Sequence, residues 1–277
     1  MPELNFVKYD EDIIIVKNNI LDLTNRAIND ISEIIGLENL NNVEILSLVD
    51  NEITEIIKLD KLKNLKSLYL GANQIFEIKG LNNLKNLQTL SFFDFESTKG
   101  NQISEIKGLD NLKNLKILHL SDNHITEIKG LENLQNLEIL GLSRNLITEI
   151  KGLDNLLNLA ELYLDNNDIT ELTGLQNQIK LRNLQIENNN IFKIEDISEL
   201  KNLEFLNLNN NQINDLSWIS ELTKLKNLDL RYNNISKGFS LKYLRNLQSI
   251  SLTGNPISQE ELEKFEGHIS TSNYVTF

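Results

Sequence analysis

The apolar positions of this chain follow one template restated at a fixed offset. Leu137, Leu140, Leu142, Asn145 and Ile147 recur as Leu159, Leu162, Leu164, Asn167 and Ile169, 22 residues on. The asparagine is found at Asn51, Asn73, Asn101, Asn123, Asn145, Asn167, Asn189, Asn211, Asn233 and Asn255, at spacings of 22 and 28 and then 22 throughout. With this residue written N, positions N−8, N−5, N−3, N+2, N+5, N+8 and N+11 are apolar, as in Val43, Leu46, Leu48, Ile53, Ile56, Leu59 and Leu62. Such a pattern predicts stacked coils, each burying its apolar edge against its neighbours.

The alternation at N−5 and N−3 has the period of a strand. The three-residue spacing of the return segment suits 3₁₀ turns or extended coil better than an α-helix. Each tight turn leaves backbone N–H and C=O groups in need of partners, and a carboxamide supplies donors and acceptors together, so the asparagine is read as structural. Gly80, Gly108, Gly130, Gly152 and Gly174 recur at N+7, where a positive φ or a close contact between coils is expected.

The pattern L-x-x-L-x-L-x-x-N-x-I-x-x-I-x-G-L, with its 22-residue period, resembles the SDS22-like class of leucine-rich repeat proteins over residues 21–257. The resemblance implies an α/β, right-handed leucine-rich repeat solenoid, a curved horseshoe with a parallel β-sheet on the concave face and 3₁₀ or coil segments on the convex face. That class includes a regulatory subunit of a Ser/Thr protein phosphatase and, in bacteria, the internalins, which are surface adhesins. Both bind proteins, chiefly through the concave face.

One continuous domain is expected. Residues 1–20 read as an N-terminal hairpin-like cap, residues 21–257 as about eleven repeats, and residues 258–277 as a C-terminal cap. The spacing of 28 places a six-residue insertion at 95–100, on a rim, with Phe93 and Phe95 either exposed there or folded back over the core. Gln178 and Gly238 stand at apolar positions beside Ile179 and Phe239, which suggests one-residue adjustments, and Trp218 replaces the N+7 glycine. In the tail, Ser258 and Glu261 form a capping box for a short helix stopping at Gly267, and Leu262, Phe265, Ile269, Tyr274, Val275 and Phe277 can cover the last coil.

Composition narrows the function classes. The formal charge of −13 disfavours nucleic acid or an anionic membrane as partner and favours a protein with a basic surface. Cysteine is absent, so no thiolate or disulfide chemistry is available. The start, MPELNFVKYDEDIII, lacks the basic n-region of a signal peptide, so a cytoplasmic location and a monomer when unbound are the expectations. No phosphate-cradling or nucleophile-elbow motif occurs, and His119, His124 and His268 do not form a ligand set. The chain therefore reads as a non-enzyme without cofactor or metal.

Recognition is sought in the outward columns N−6, N−4, N−2 and N−1. These carry the aromatics Tyr69, Phe93, Tyr163, Phe205 and Tyr232, the acids Asp122, Glu161, Asp165, Glu187 and Asp229, the bases Arg144 and Arg231, and His119. With Phe95 from the insertion they form the candidate partner-binding set, since acids beside aromatic rings suit a basic protein surface. The leading expectation is a regulatory scaffold acting on a phosphatase or GTPase; the alternative is an internalin-like secreted or surface adhesin. Removing residues 258–277 should expose an apolar end, and size-exclusion chromatography should then show association; a monodisperse, equally stable truncation would make the tail dispensable.

Overall fold

The computed structural model describes residues 5–97, 99–195, 197–237, 241–261 and the backbone of 274–276. The strands in chain order are β1 (Phe6–Tyr9), β2 (Asp12–Ile15), β3 (Ile20–Asp22), β4 (Ile45–Ser47), β5 (Ser67–Tyr69), β6 (Thr89–Ser91), β7 (Ile117–His119), β8 (Ile139–Gly141), β9 (Glu161–Tyr163), β10 (Glu171–Leu172), β11 (Asn183–Gln185), β12 (Lys193–Ile194), β13 (Phe205–Asn207), β14 (Asn227–Asp229), β15 (Ser249–Ser251) and β16 (Tyr274–Thr276). They are distributed over two compact units, Met1–Asn145 and Leu146–Phe277.

In the first unit β1 and β2 pair antiparallel, and β3 to β8 pair parallel in chain order, with Leu46, Leu68, Leu90, Leu118 and Leu140 directly in line. In the second, β9, β11, β13, β14, β15 and β16 do the same, with Leu162, Leu184, Leu206, Leu228 and Ile250 in line. Leucine stacks on leucine because the 22-residue repeat returns the chain to the same register, and a one-residue slip would turn the apolar set outward. Leu90 stays in line with Leu118 although 28 residues separate them, so the insertion is looped out after β6. β10 and β12 form a small parallel pair on the return side, where 3₁₀ segments also lie at Ile31–Glu33, Leu37–Asn39, Ile197–Glu199 and Ser217–Glu221. The fold class is the expected parallel-sheet solenoid with few helices.

The template asparagines from Asn51 to Asn233 are buried, Asn255 is half-buried, and they join adjacent coils. Asn145 Nδ2 donates to the carbonyls of Leu120 and Leu142, both at 3.0 Å, and its Oδ1 accepts from the Ile125 N–H at 2.9 Å. Asn101 does the same across the insertion, donating to Leu70 at 3.0 Å and Phe92 at 2.9 Å. Phe92, fully buried, continues the inward register of β6. At N+7 both expectations are met in Gly80, whose φ is +76° and where a Cβ would lie 2.2 Å from the Ile56 carbonyl oxygen.

A second asparagine ladder runs along the exposed corner before the strands. The side chains of Asn64, Asn86, Asn114 and Asn136 donate to the carbonyls of Asn41, Lys63, Lys85 and Lys113 one coil back, at 2.7 to 2.9 Å. Asn202 and Asn246 repeat this in the second unit. Where lysine replaces the asparagine, at Lys180 and Lys224, its ammonium donates to the carboxamide oxygen of Asn158 or Asn202, each at 2.7 Å.

Two sequence expectations change. Gln178 causes no register adjustment: it takes the core position of a leucine, 1% exposed, keeps the turn bonds of its neighbours, and donates from Nε2 to the Leu153 carbonyl at 2.8 Å. Ile179 is simply left half exposed beside it. The tail also does more than cover an end, since β16 adds a parallel strand to β15. Trp218 lies in the 3₁₀ turn Ser217–Glu221 and donates from Nε1 to the Asp215 carbonyl at 2.9 Å. The Glu261 N–H caps back to Ser258, whereas Gly238, Phe239 and residues 262–273 lie outside the described residues.

Replacing Asn145 with leucine should cost on the order of 1 to 3 kcal/mol by stranding the Leu120 and Leu142 carbonyls and the Ile125 N–H. Chemical denaturation measures this, and an unchanged midpoint would contradict the role of the ladder.

Candidate binding face

Each strand is centred on N−5, so N−6 and N−4 point outward on either side of the inward leucine. The turn that follows decides the rest of the face. Its N−1 residue is left-handed in every described repeat of the regular kind, with φ between +52° and +57° at Asp50, Ala72, Asp122, Arg144, Asn166, Asn188, Asn210 and Tyr232. The N−1 column thus belongs to a turn, not to the water-facing strand assumed from the sequence. Asparagine and aspartate tolerate this conformation, which accounts for Asn166, Asn188 and Asn210 without invoking a ligand.

In the first unit the insertion folds back over the outward face. Gly71 has no Cβ because one would sit 2.5 Å from the Phe93 carbonyl group, and Ser91 Oγ donates to the same carbonyl oxygen at 2.9 Å. Phe93 is half-buried and meets Phe95 edge to face, with centroids 4.7 Å apart; Phe95 is 84% exposed and lies 6.5 Å from the His119 ring. The question left by the sequence is thereby divided, one ring partly covered and the other in water. The Arg144 guanidinium lies 5.7 Å from the Phe93 centroid, and its Nε donates to Asp122 Oδ1 at 2.7 Å. The other oxygen of Asp122, Oδ2, is buried without a donor among the described residues. Gly141 leaves room for His119, since a Cβ there would lie 2.5 Å from Nδ1. Phe93, Phe95, His119, Asp122 and Arg144 thus form one cluster. Tyr69 stands on β5 opposite Ser91, half-buried and outside that cluster's ring contacts.

In the second unit the acids have acquired partners. The Tyr163 hydroxyl donates to Glu161 and accepts from Asn183 at 3.4 Å. Burial, and then the Glu161 carboxylate, push its pKa up to about 12. Glu187 Oε2 accepts from Asn207 at 2.7 Å, and Asp165 Oδ1 accepts from the Glu187 N–H at 3.0 Å. Arg231 grips Asp229 through Nε at 2.9 Å and Nη2 at 2.6 Å, a fork that holds the guanidinium charged. Asp229 is neutralised in this way, whereas Glu161 is met by a tyrosine hydroxyl and Glu187 by an asparagine amide, neither of which cancels its charge.

The three rings of this face differ. Tyr163 is tied down, Phe205 on β13 is 42% exposed, and Tyr232 is 56% exposed in its left-handed turn. Tyr232 lies over Gly254, where a Cβ would meet the ring at 2.5 Å. In the sequence this strained and exposed tyrosine stands out only for its ring; its backbone conformation carries no sequence signal.

Two family models for leucine-rich repeats match the chain, one described as two repeat copies over residues 85–133 and 113–155, the other over 179–235. A leucine-rich repeat protein of Leptospira interrogans superposes with a TM-score of 0.78 at 32% identity over 87% of this chain, which spans 62% of that protein's resolved chain. An internalin of Listeria monocytogenes has a TM-score of 0.59 at 26% identity, covering 96% of this chain and 89% of its own. Internalin C2 of the same organism has a TM-score of 0.55 at 29% identity, covering 75% and 78%. A search of the curated proteins finds no sequence match.

The Tyr163 environment gives a measurable pH dependence. Its folded pKa lies above the ordinary value of 10.0, so it contributes stability that is complete below about pH 10 and is lost as pH rises through about 12. Phenolate absorbance should show a phase near 12 that Tyr163→Phe removes, and its absence from the wild type would discard the Glu161 contact.

Proposed function

We propose that this leucine-rich repeat chain is a non-enzymatic scaffold that binds a protein partner of basic surface through the outward face of its parallel sheet and the turns that follow it. We place it, as a regulatory subunit of the SDS22-like kind acting on a phosphatase or GTPase, in the cytoplasm. The observation that carries the binding reading is Tyr232. A left-handed backbone costs a residue other than glycine about 1 to 2 kcal/mol, asparagine least, and the three preceding repeats use asparagine there. The ring rests on Gly254 yet stays half in water, and backbone strain of this kind gathers at functional sites. Phe205 adds a second open ring, and the Glu161 and Glu187 carboxylates, met by neutral groups, favour a cationic surface.

The second reading, an internalin-like adhesin, is supported by the likeness to the two Listeria internalins at 26% and 29% identity. Cell fractionation separates the two, since recovery at the surface would sink the cytoplasmic reading.

Affinity capture followed by mass spectrometry identifies the partner. Alanine at Phe205 or Tyr232 should then cost about 2 kcal/mol in binding, mostly through faster dissociation. The diagnostic variant is Tyr232→Asn, which should leave the melting temperature unchanged or raised while weakening the complex. A lower melting temperature with intact binding would make Tyr232 a packing residue and refute the reading.

A further inference from the structure

The insertion is where the chain departs most from its own repeat, and its exposed residues are not needed to close the coil. Asn101 bonds Phe92 and Leu70 as its counterparts bond the regular turns, so the six added residues could be absent without loss of the ladder. The described residues of the insertion are nevertheless held in place. The first end is fastened by Ser91 on the Phe93 carbonyl and by the Phe93–Phe95 contact. The second is fastened by Lys99, 3.7 Å from Asp50, and by Gly100, where a Cβ would lie 1.9 Å from the Asp122 carbonyl oxygen. What this loop presents is Phe95, the most exposed large apolar side chain among the described residues at 84%.

Phe95 stands between Asp94 and Glu96, and neither carboxylate is in an ion pair among the described residues. The nearby cations are committed elsewhere, Lys99 to Asp50 and Arg144 to Asp122. We propose that the Asp94–Phe95–Glu96 ledge receives an arginine side chain of the protein partner, its guanidinium stacked on the open ring of Phe95 and balanced by the two carboxylates. An aromatic face attracts a cation through its quadrupole, and the planar guanidinium suits stacking better than an ammonium. The molecule already shows this chemistry one ring away, where Arg144 lies 5.7 Å from Phe93. The ledge rests on the reading of the chain as a protein-binding scaffold, but it uses none of the residues of the second unit.

The test selects a displayed random peptide library on the full-length protein and then measures synthetic versions of the enriched peptides. Arginine-bearing peptides should be enriched, and replacing the arginine by neutral citrulline should weaken binding about three- to tenfold. The Phe95→Leu variant should show the same loss with an unchanged melting temperature, because the ring is in water. The Asp94→Asn, Glu96→Gln double variant should reduce the salt dependence of binding. Peptides that bind Phe95→Leu as tightly as wild type, peptides lacking a cation, or no enrichment would each overturn the ledge. If a captured protein is lost from the Tyr163, Phe205, Tyr232 triple alanine variant yet binds Phe95→Leu normally, the scaffold stands and the ledge falls. If arginine peptides depend on Phe95 while no protein is captured, the ledge stands alone.

Discussion

A coil of 22 residues turns too tightly to satisfy its own backbone, and the rest of the structure follows from how that deficit is met. After each strand the carbonyls at N−3 of two adjacent coils and the N–H at N+2 of the earlier one point into the interior, where water cannot reach them. A single carboxamide, as at Asn145, bonds all three. No apolar side chain can do this, and a shorter or longer polar one would miss the geometry. The ladder therefore fixes the coil spacing, and the spacing in turn aligns leucine on leucine.

Closing that turn has a consequence for recognition. The chain reaches the asparagine only by passing through a left-handed residue at N−1, so this outward column is selected first for backbone tolerance and only then for its side chain. Most repeats comply with asparagine, aspartate or alanine. Arg144 and Tyr232 do not, and both place a large side chain where the scaffold is rigid. Rigidity matters because a side chain ordered before binding loses less entropy on association.

Charge is arranged differently on the two sides of each coil. On the return side Lys107 bridges Glu77 and Glu105, and Lys129 bridges Glu105 and Glu127, and the Glu77 and Glu105 carboxyls are held below and the two ammoniums above their ordinary pKa values. These pairs are exposed and stabilise little individually. On the sheet side of the second unit Glu161 and Glu187 are instead met by a hydroxyl and an amide, which do not cancel their charge.

The sequence by itself determined the period, the interior and the role of the template asparagine, because each is written as side-chain chemistry at regular positions. Val43, Leu46, Leu48, Ile53 and Ile56 were legible as core since burial demands apolarity wherever it occurs. The site of the insertion was equally legible, as a break in a count. Of the candidate face, the residues could be named but not their states. Whether Phe95 was open and Phe93 partly covered, whether Asp229 was cancelled by Arg231 and Asp122 by Arg144, and whether Gln178 shifted the register or bonded Leu153 were decided by the fold. So were the second asparagine ladder and the strand contributed by the tail. The physical reason is common to these cases: the deciding partner lies in another coil or across a turn, at a distance and angle set by stacking, and an asparagine that bonds the coil below is written with the same letter as one that bonds only water.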